Sequence, residues 1–558
     1  MKNVHLIVSL ALSALLSSAM AGAAQNPQPS AGAAAPQPAN ATREELDQLR
    51  QAMEAQNRAQ QQRLEELEKQ NQELTLELRS AQTRLSLTEQ QINRLSGAEA
   101  QAQSLRTAVA ALQAVPPAAA AHTARPQKPE RAIPTALSYR GVSIVPGGYF
   151  AAEALYRSHA ENADINTSWA GIPWDAQAMA HLSEFRATSR ATRLSLRAFG
   201  DAGGATLTGY FETDFLASGF GASETQTNGY SNRVRQMWGR VQFPGRWSFA
   251  AGQMWSLLTM NRSGIENLTE YSPALIDSTI LPGFDYARQT GFRVTRSFPA
   301  WKTALAFSAE NAATVGVTPA NVPEDITAVL SGLSTTGTGI MSNTTYSTNV
   351  APDLIAKAAF DPRLGHFEVK AVGRTFRDRL DATSTTAGKN NTLLGGAFGG
   401  SAYVPVFTPK VSYLAAAMYG AIGRYGATST DVVVKPDGTL AAEKSIHGIT
   451  GFEVHPTPRF DVYSYGSEEY LPRNYGYGLR SINNSKCFLE TGFSCSASLK
   501  ALETGSAGFW YRFYQGPGGT VQYGADYVYV LRDAWSGVGG APRGVDNIVE
   551  SSFRYYLP

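Results

Sequence analysis

The sequence predicts an all-β transmembrane β-barrel of about sixteen antiparallel strands, preceded by an α-helical coiled coil. Three observations predict it. In the final segment, Val545 to Leu557, the residues Val549, Ser551, Phe553, Tyr555 and Leu557 form one face, and Glu550, Ser552, Arg554 and Tyr556 the other. That is the period of a strand, mostly apolar on one side, with two tyrosines where a membrane interface would lie. From Leu137 onward, very short connections holding Pro, Gly or Asp alternate with long polar ones, as in a membrane barrel with turns on one side and loops on the other. Between Leu64 and Leu95 the apolar spacing alternates three and four, which is a heptad seam.

Composition agrees. With 558 residues, 17% charged, 10% aromatic and 51 glycines, the chain is too aromatic for disorder and too polar for a helical membrane protein. No run of eighteen apolar residues follows the N-terminus, so no spanning helix is predicted, and a barrel escapes that test because only alternate residues face lipid. A formal charge of +2 gives no footing for a nucleic-acid partner. The two cysteines, Cys487 and Cys495, lie in a polar stretch with no histidine near them, which reads as a local disulfide pinning a loop rather than a metal site. No cofactor motif is present.

From the N-terminus, residues 1–21 carry Lys2, an apolar run from Val4 to Leu16 and the small-residue cut Ala19-Met20-Ala21, the layout of an export signal. Residues 22–41 are Ala, Pro and Gln, a disordered lead. Residues 42–113 form the predicted coiled coil. It opens on Thr42 and Glu45, which resemble a capping box, and its seam runs through Leu64, Leu67, Asn71, Leu74, Leu78, Ala81, Leu85, Thr88, Ile92 and Leu95. So narrow a seam calls for copies of itself or a partner helix, and Asn71 at an a position is the usual device for fixing register. Pro116 and Pro117 end the helix, and residues 114–137 are an Ala/Pro spacer.

Residues 138–558 are the barrel. Its short turns are Gly200 to Gly204, Pro244 to Arg246, Pro299-Ala300, Asp361 to Gly365, Pro405 to Pro409, Pro456 to Pro458 and Gln515 to Gly519. Seven turns joining two strands each, plus a first strand near Tyr149 to Tyr156 and the closing strand, make sixteen, with fourteen or eighteen open if a hairpin lies within residues 311–351. Even parity puts both chain ends on the turn side, which for an exported barrel is the periplasm. The strands alternate clearly, as Leu207, Gly209, Phe211 and Thr213 do against Thr208, Tyr210, Glu212 and Asp214. Phe243, Trp247, Phe298, Trp301, Phe360 and Phe367 gather beside the turns as a girdle would. The chain ends in Pro558 after Leu557, where such barrels usually end in an aromatic residue.

Four segments in this order carry a resemblance: Gly209-Tyr210-Phe211-Glu212-Thr213-Asp214-Phe215, Ala251-Gly252-Gln253-Met254-Trp255-Ser256, Gly420-Ala421-Ile422-Gly423-Arg424-Tyr425 and Ser552-Phe553-Arg554-Tyr555-Tyr556. Together they resemble the DcaP-type trimeric outer-membrane porins of the general porin superfamily, over roughly Ser138 to Leu557. The resemblance implies a sixteen-stranded homotrimeric diffusion channel in the outer membrane for small anions, dicarboxylates included, with the coiled coil in the periplasm.

The charges give the pore its expected chemistry. The third long loop, Leu257 to Ala287, is expected to fold inward, carrying Glu266, Glu270, Asp277 and Asp285 against Arg262. Strand parity turns Arg193 and Arg197 into the lumen opposite Leu194 and Leu196, and Arg233, Arg235, Lys370 and Arg374 repeat the pattern. A basic wall facing an acidic loop orients dipolar solutes and favours anions, guanidinium matching carboxylate. Two other classes stand against a channel. An embedded hydrolase needs a serine–histidine pair, yet the seven histidines are scattered, with only His181 and His447 clear of the signal, linker, first loop and turns. A tether would use the coiled coil to reach the cell wall, the pore being incidental.

Overall fold

The computed structural model describes residues 136–558 apart from 168, 170, 218–229, 318–321, 328–329, 332–346, 427–429, 474–482, 491–494 and 496. The expected export signal, lead, coiled coil and most of the Ala/Pro spacer lie outside the described residues. Among the described residues no helix is long and apolar enough to cross a membrane.

The architecture is a closed antiparallel barrel of sixteen strands. Its first quarter is β1 (Val142–Arg157), β2 (Glu184–Thr188 continued by Arg193–Ala202), β3 (Ala205–Asp214) and β4 (Arg233–Gln242). β5 (Trp247–Trp255), β6 (Arg288–Phe298), β7 (Thr303–Glu310) and β8 (Asp353–Phe360) follow. The third quarter is β9 (His366–Leu380), β10 (Lys389–Pro405), β11 (Val411–Gly420) and β12 (Ser445–Thr457). The last is β13 (Phe460–Tyr470), β14 (Leu499–Gly516), β15 (Gly519–Ala534) and β16 (Arg543–Tyr556). Each strand pairs with the next, and β16 returns to β1 with Tyr149 opposite Tyr556 and Arg157 opposite Ile548, so no edge is left open. β7 pairs directly with β8 along its whole length, which leaves no room for an extra hairpin between them. All seven predicted turns stand at strand junctions on one end of the barrel.

Alternation sets the two faces. Leu207, Phe211, Leu305, Phe307, Tyr523, Tyr527, Val549 and Phe553 point outward and are exposed, while Glu212, Asp214, Ala304, Ala306, Ser308, Gln522, Asp526 and Glu550 are buried on the inside. Covering an inner wall this polar requires a polar filling. The 256–287 connection supplies it by crossing the lumen, with the first long loop packed over it: Ile280 and Leu281 meet Ile165, Trp169 and Ile172, and wall residues Leu155, Leu414, Val528 and Ile548 complete that cluster. Leu257, Leu258 and Ile265 pack at the opposite wall against Ile355, Val372 and Met418. Each such side chain fully buried contributes about 1.5–3 kcal/mol, enough to hold a loop inward once its backbone groups are paired. Gly283 shows how close the loop comes: at φ 80° its missing Cβ would lie 2.6 Å from the Gly448 carbonyl of β12.

Candidate functional site

The inward loop is pinned by carboxylates. Five of its backbone N–H groups donate to acids of the wall or its turns: Leu257 to Glu310 at 2.8 Å, Asn261 to Glu368 at 2.9 Å, Gly264 to Asp361 at 3.0 Å, Ile276 to Asp526 at 2.8 Å and Asp277 to Glu550 at 3.2 Å. Loop carbonyls are met by cations, Thr259 by Lys357 at 2.7 Å and Ile276 by Arg554 at 3.2 Å. Trp510 donates to Ala274 at 2.7 Å and Trp169 to Ile280 at 3.0 Å. A loop of irregular backbone thus crosses the barrel with its donors satisfied, as burial demands. Four of these acids, Glu310, Glu368, Asp526 and Glu550, are buried beneath the loop they hold.

The expected basic wall divides into two groups. Arg233 pairs with Asp214 at 2.7 Å, and Arg235 with Glu212 at 2.6 Å and Asp214 at 2.8 Å. Lys370 pairs with Asp285 at 2.7 Å and also donates to the Leu258 carbonyl, and Arg374 lies buried between Asp353 and Asp431. These four are structural cations, neutralised by neighbouring strands or by loops. Arg193 and Arg197 make no ion pair among the described residues; Arg193 lies 5.4 Å from the Tyr149 ring centroid and Arg197 5.2 Å from that of Phe199. Arg197 sits exposed toward the turn end, opposite Val145 and Tyr210, away from the constriction.

The loop acids do not oppose Arg193 and Arg197 as the sequence suggested. Glu266 pairs with Arg240 at 3.0 Å and Asp285 with Lys370, while buried Glu270 comes within 3.9 Å of Arg293. Asp277 accepts from Thr279 at 3.0 Å to cap a short turn. Burial pushes the Asp277 and Glu270 carboxyls above the ordinary carboxylate range. The physical reason for the difference is reach: the loop is anchored wall to wall by its backbone, so its acids fall beside whichever strand each segment crosses.

Beneath the loop, toward the turn end, lies a cavity of about 610 Å³. Arg193, Arg262, Arg512 and Arg554 line it, against Glu453 and Asp461. Arg512 pairs with Asp461, and Arg554 with Glu153 at 2.7 Å. Glu453 is buried and needs no cation, because three tyrosine hydroxyls donate to it: Tyr271 at 2.7 Å, Tyr465 at 2.9 Å and Tyr403 at 3.1 Å. Burial, with Tyr465 and Glu453 beside it, holds the Tyr271 hydroxyl well above its usual value, so it stays a donor. Arg262 lies over two of these rings, 5.3 Å from Tyr271 and 5.9 Å from Tyr403, and makes no ion pair among the described residues. A guanidinium over aromatic faces is held by cation–π attraction and keeps its full charge for a carboxylate. Arg193 and Arg262 are therefore the unpaired cations of this cavity.

The barrel is similar to the crystal structure of the outer membrane channel DcaP of Acinetobacter baumannii, with a TM-score of 0.52 and 18% identity, covering 75% of this chain and 99% of that one. The fold is that of a DcaP-like porin barrel. An anion-selective porin from Comamonas acidovorans (TM-score 0.40, 10% identity, 75% and 100% covered) and Salmonella typhi OmpF (0.39, 12%, 75% and 98%) are more distant likenesses, on which nothing further is built. No protein family and no curated protein matches the sequence.

In this DcaP-like barrel His366 and His455 lie in ion pairs beside the turns. His366 bridges Asp361 at 2.7 Å and Glu368 at 3.0 Å, and His455 meets Asp461 at 2.7 Å. His447 Nε2 lies 2.8 Å from Ser445 and 3.4 Å from Glu469, and all three residues are buried. Cys487 and Cys495 are bonded within the seventh loop, their Cα atoms 4.7 Å apart. Arg512, Glu453 and the three tyrosines that donate to it, Tyr271, Tyr403 and Tyr465, were missed by sequence reasoning. Arg554 carried a signal, since alternation put it on the polar face of the closing strand with Glu550 and Ser552.

Proposed function

We propose that the chain is an outer-membrane porin, a passive diffusion channel for small hydrophilic solutes that prefers anions, dicarboxylates among them. The observation that supports it is the division of charge at the constriction: wall acids accept from loop amides and tyrosines, while Arg193 and Arg262 line one cavity without an ion pair among the described residues. Two such guanidiniums suit a solute with a carboxylate at each end. The coiled coil of residues 42–113 belongs in the periplasm and reinforces a homotrimer whose barrels sit in outer-membrane lipid; contact of that helix with the cell wall is a further role open to it.

Swelling of liposomes carrying the purified full chain tests this reading. Succinate should enter faster than an uncharged solute of equal size, and a diamine of that size more slowly. Equal rates for all three would contradict anion preference, and no swelling at all would contradict a channel.

A further inference from the structure

The loop-side face of the constriction carries cations that the cavity does not include. β5 ends on Trp255 and β6 begins on Arg288, and the two are partners across the ladder. The Arg288 guanidinium lies 5.1 Å from the centroid of the Trp255 ring, and Arg235 lies 5.9 Å from the same ring. Arg233 and Arg235 are consumed by Asp214 and Glu212, as described above. Arg288 is not: it makes no ion pair or hydrogen bond among the described residues, and its side chain stays partly exposed. Arg193 joins this group, because Arg193, Asp214 and Arg233 are successive partners across β2, β3 and β4. Four guanidiniums thus face two carboxylates, an excess of two positive charges, and Arg193 also lines the cavity beyond the loop.

Cation–π attraction holds a guanidinium over an indole without neutralising it, and a barrel wall of low dielectric behind it concentrates the field into the lumen. We propose that Arg288, set over the Trp255 ring, is a second anion-docking site on the long-loop side of the constriction, taking one carboxylate or phosphate group of a solute. An anion leaving it meets Arg193 next, through the row that Arg193 shares with Asp214 and Arg233. The inference rests on the barrel being an anion-preferring channel, but it concerns one named site with its own readout.

Quenching of tryptophan fluorescence in the folded, full-length protein tests it, with iodide as the anionic probe and acrylamide as the neutral one. The share due to Trp255 is the difference between the native chain and Trp255→Phe. Arg288→Gln should lower the iodide slope of that share about threefold or more without lowering the acrylamide slope, since lost charge dilutes anions but not neutral quencher. Arg288→Lys should keep more than half of the iodide slope. Inorganic phosphate should protect Trp255 from iodide in the native protein and not in Arg288→Gln. An iodide slope unchanged in Arg288→Gln, a parallel fall with acrylamide, or no protection by phosphate overturns the site. Liposome swelling fails or succeeds independently: equal entry of anions and cations with the quenching pattern intact sinks the channel's selectivity and leaves the docking site standing.

Discussion

Glu368 is the acid on which one half of the constriction hangs, and its removal separates the loop's stability from the barrel's. Oε1 accepts from the Asn261 amide at 2.9 Å, meets Lys357 at 2.6 Å and His366 at 3.0 Å, and Oε2 accepts from Ser401 at 2.6 Å. Glu368→Ala strips all four contacts and leaves the buried Lys357 ammonium without its carboxylate. Breaking a buried pair from one side costs about 3–5 kcal/mol. Lys357 still donates to the Thr259 carbonyl at 2.7 Å and to Asn261 Oδ1 at 2.6 Å, so the lower end of that range applies. About 3 kcal/mol corresponds to about a hundredfold shift from docked toward released loop. None of the barrel's ladder bonds passes through this side chain, so the wall should persist. Single-channel recordings should therefore show larger and noisier openings, while the heat-sensitive gel mobility of a folded barrel remains. Glu368→Gln, whose amide oxygen still accepts from Asn261, should fall in between. Native conductance and noise in a folded Glu368→Ala barrel would refute the claim that wall carboxylates hold the loop.

Three other outcomes are expected. Thiol labelling of the denatured, unreduced protein should give no signal if Cys487 and Cys495 are bonded in the exported chain, and two reactive thiols would contradict it. Burial raises the Asp277 carboxyl above its unfolded value, so its contribution to loop docking is full at low pH and is lost as pH rises through the raised value; channel noise should grow on that rise, and Asp277→Asn should flatten the change. Cross-linking in mild detergent should give trimers, and deleting residues 42–134 should weaken them without altering the conductance of each barrel; monomers alone from the full chain would contradict the trimer.

What the sequence made legible follows from the range of each interaction. Strands and turns are local: a period of two shows in ten residues, and Pro299-Ala300 or Gln515 to Gly519 announce themselves without knowledge of the rest of the chain. Parity placed Arg193, Arg197, Arg233 and Arg235 inside, but parity does not supply register. Whether Arg235 is free depends on Glu212, 23 residues away on the neighbouring strand, and they meet because Arg235 sits at the bulge between the Glu212–Gln236 and Thr213–Val234 rungs. The loop pins are less accessible still, since Ile276 and Asp526 stand 250 residues apart and meet only when the barrel has closed. Arg262 stood out as a lone loop cation, yet its setting on Tyr271 and Tyr403 needed the inward loop to fold back on itself and meet β10.

The central claim is that two unpaired guanidiniums, Arg193 and Arg262, set the preference of the pore. In a wet lumen a unit charge at about 8 Å is worth about 0.5 kcal/mol, so removing both forfeits about 1 kcal/mol, or about a fivefold enrichment of anions. The direct measurement is the reversal potential across a bilayer in a tenfold potassium chloride gradient, for the native chain and for the Arg193→Gln, Arg262→Gln double variant. The native channel should show the sign of chloride preference, fading as salt approaches 1 M and the screening length falls to about 3 Å, and the double variant should move toward no preference. A cation-selective native channel, or a double variant indistinguishable from it, would contradict the account.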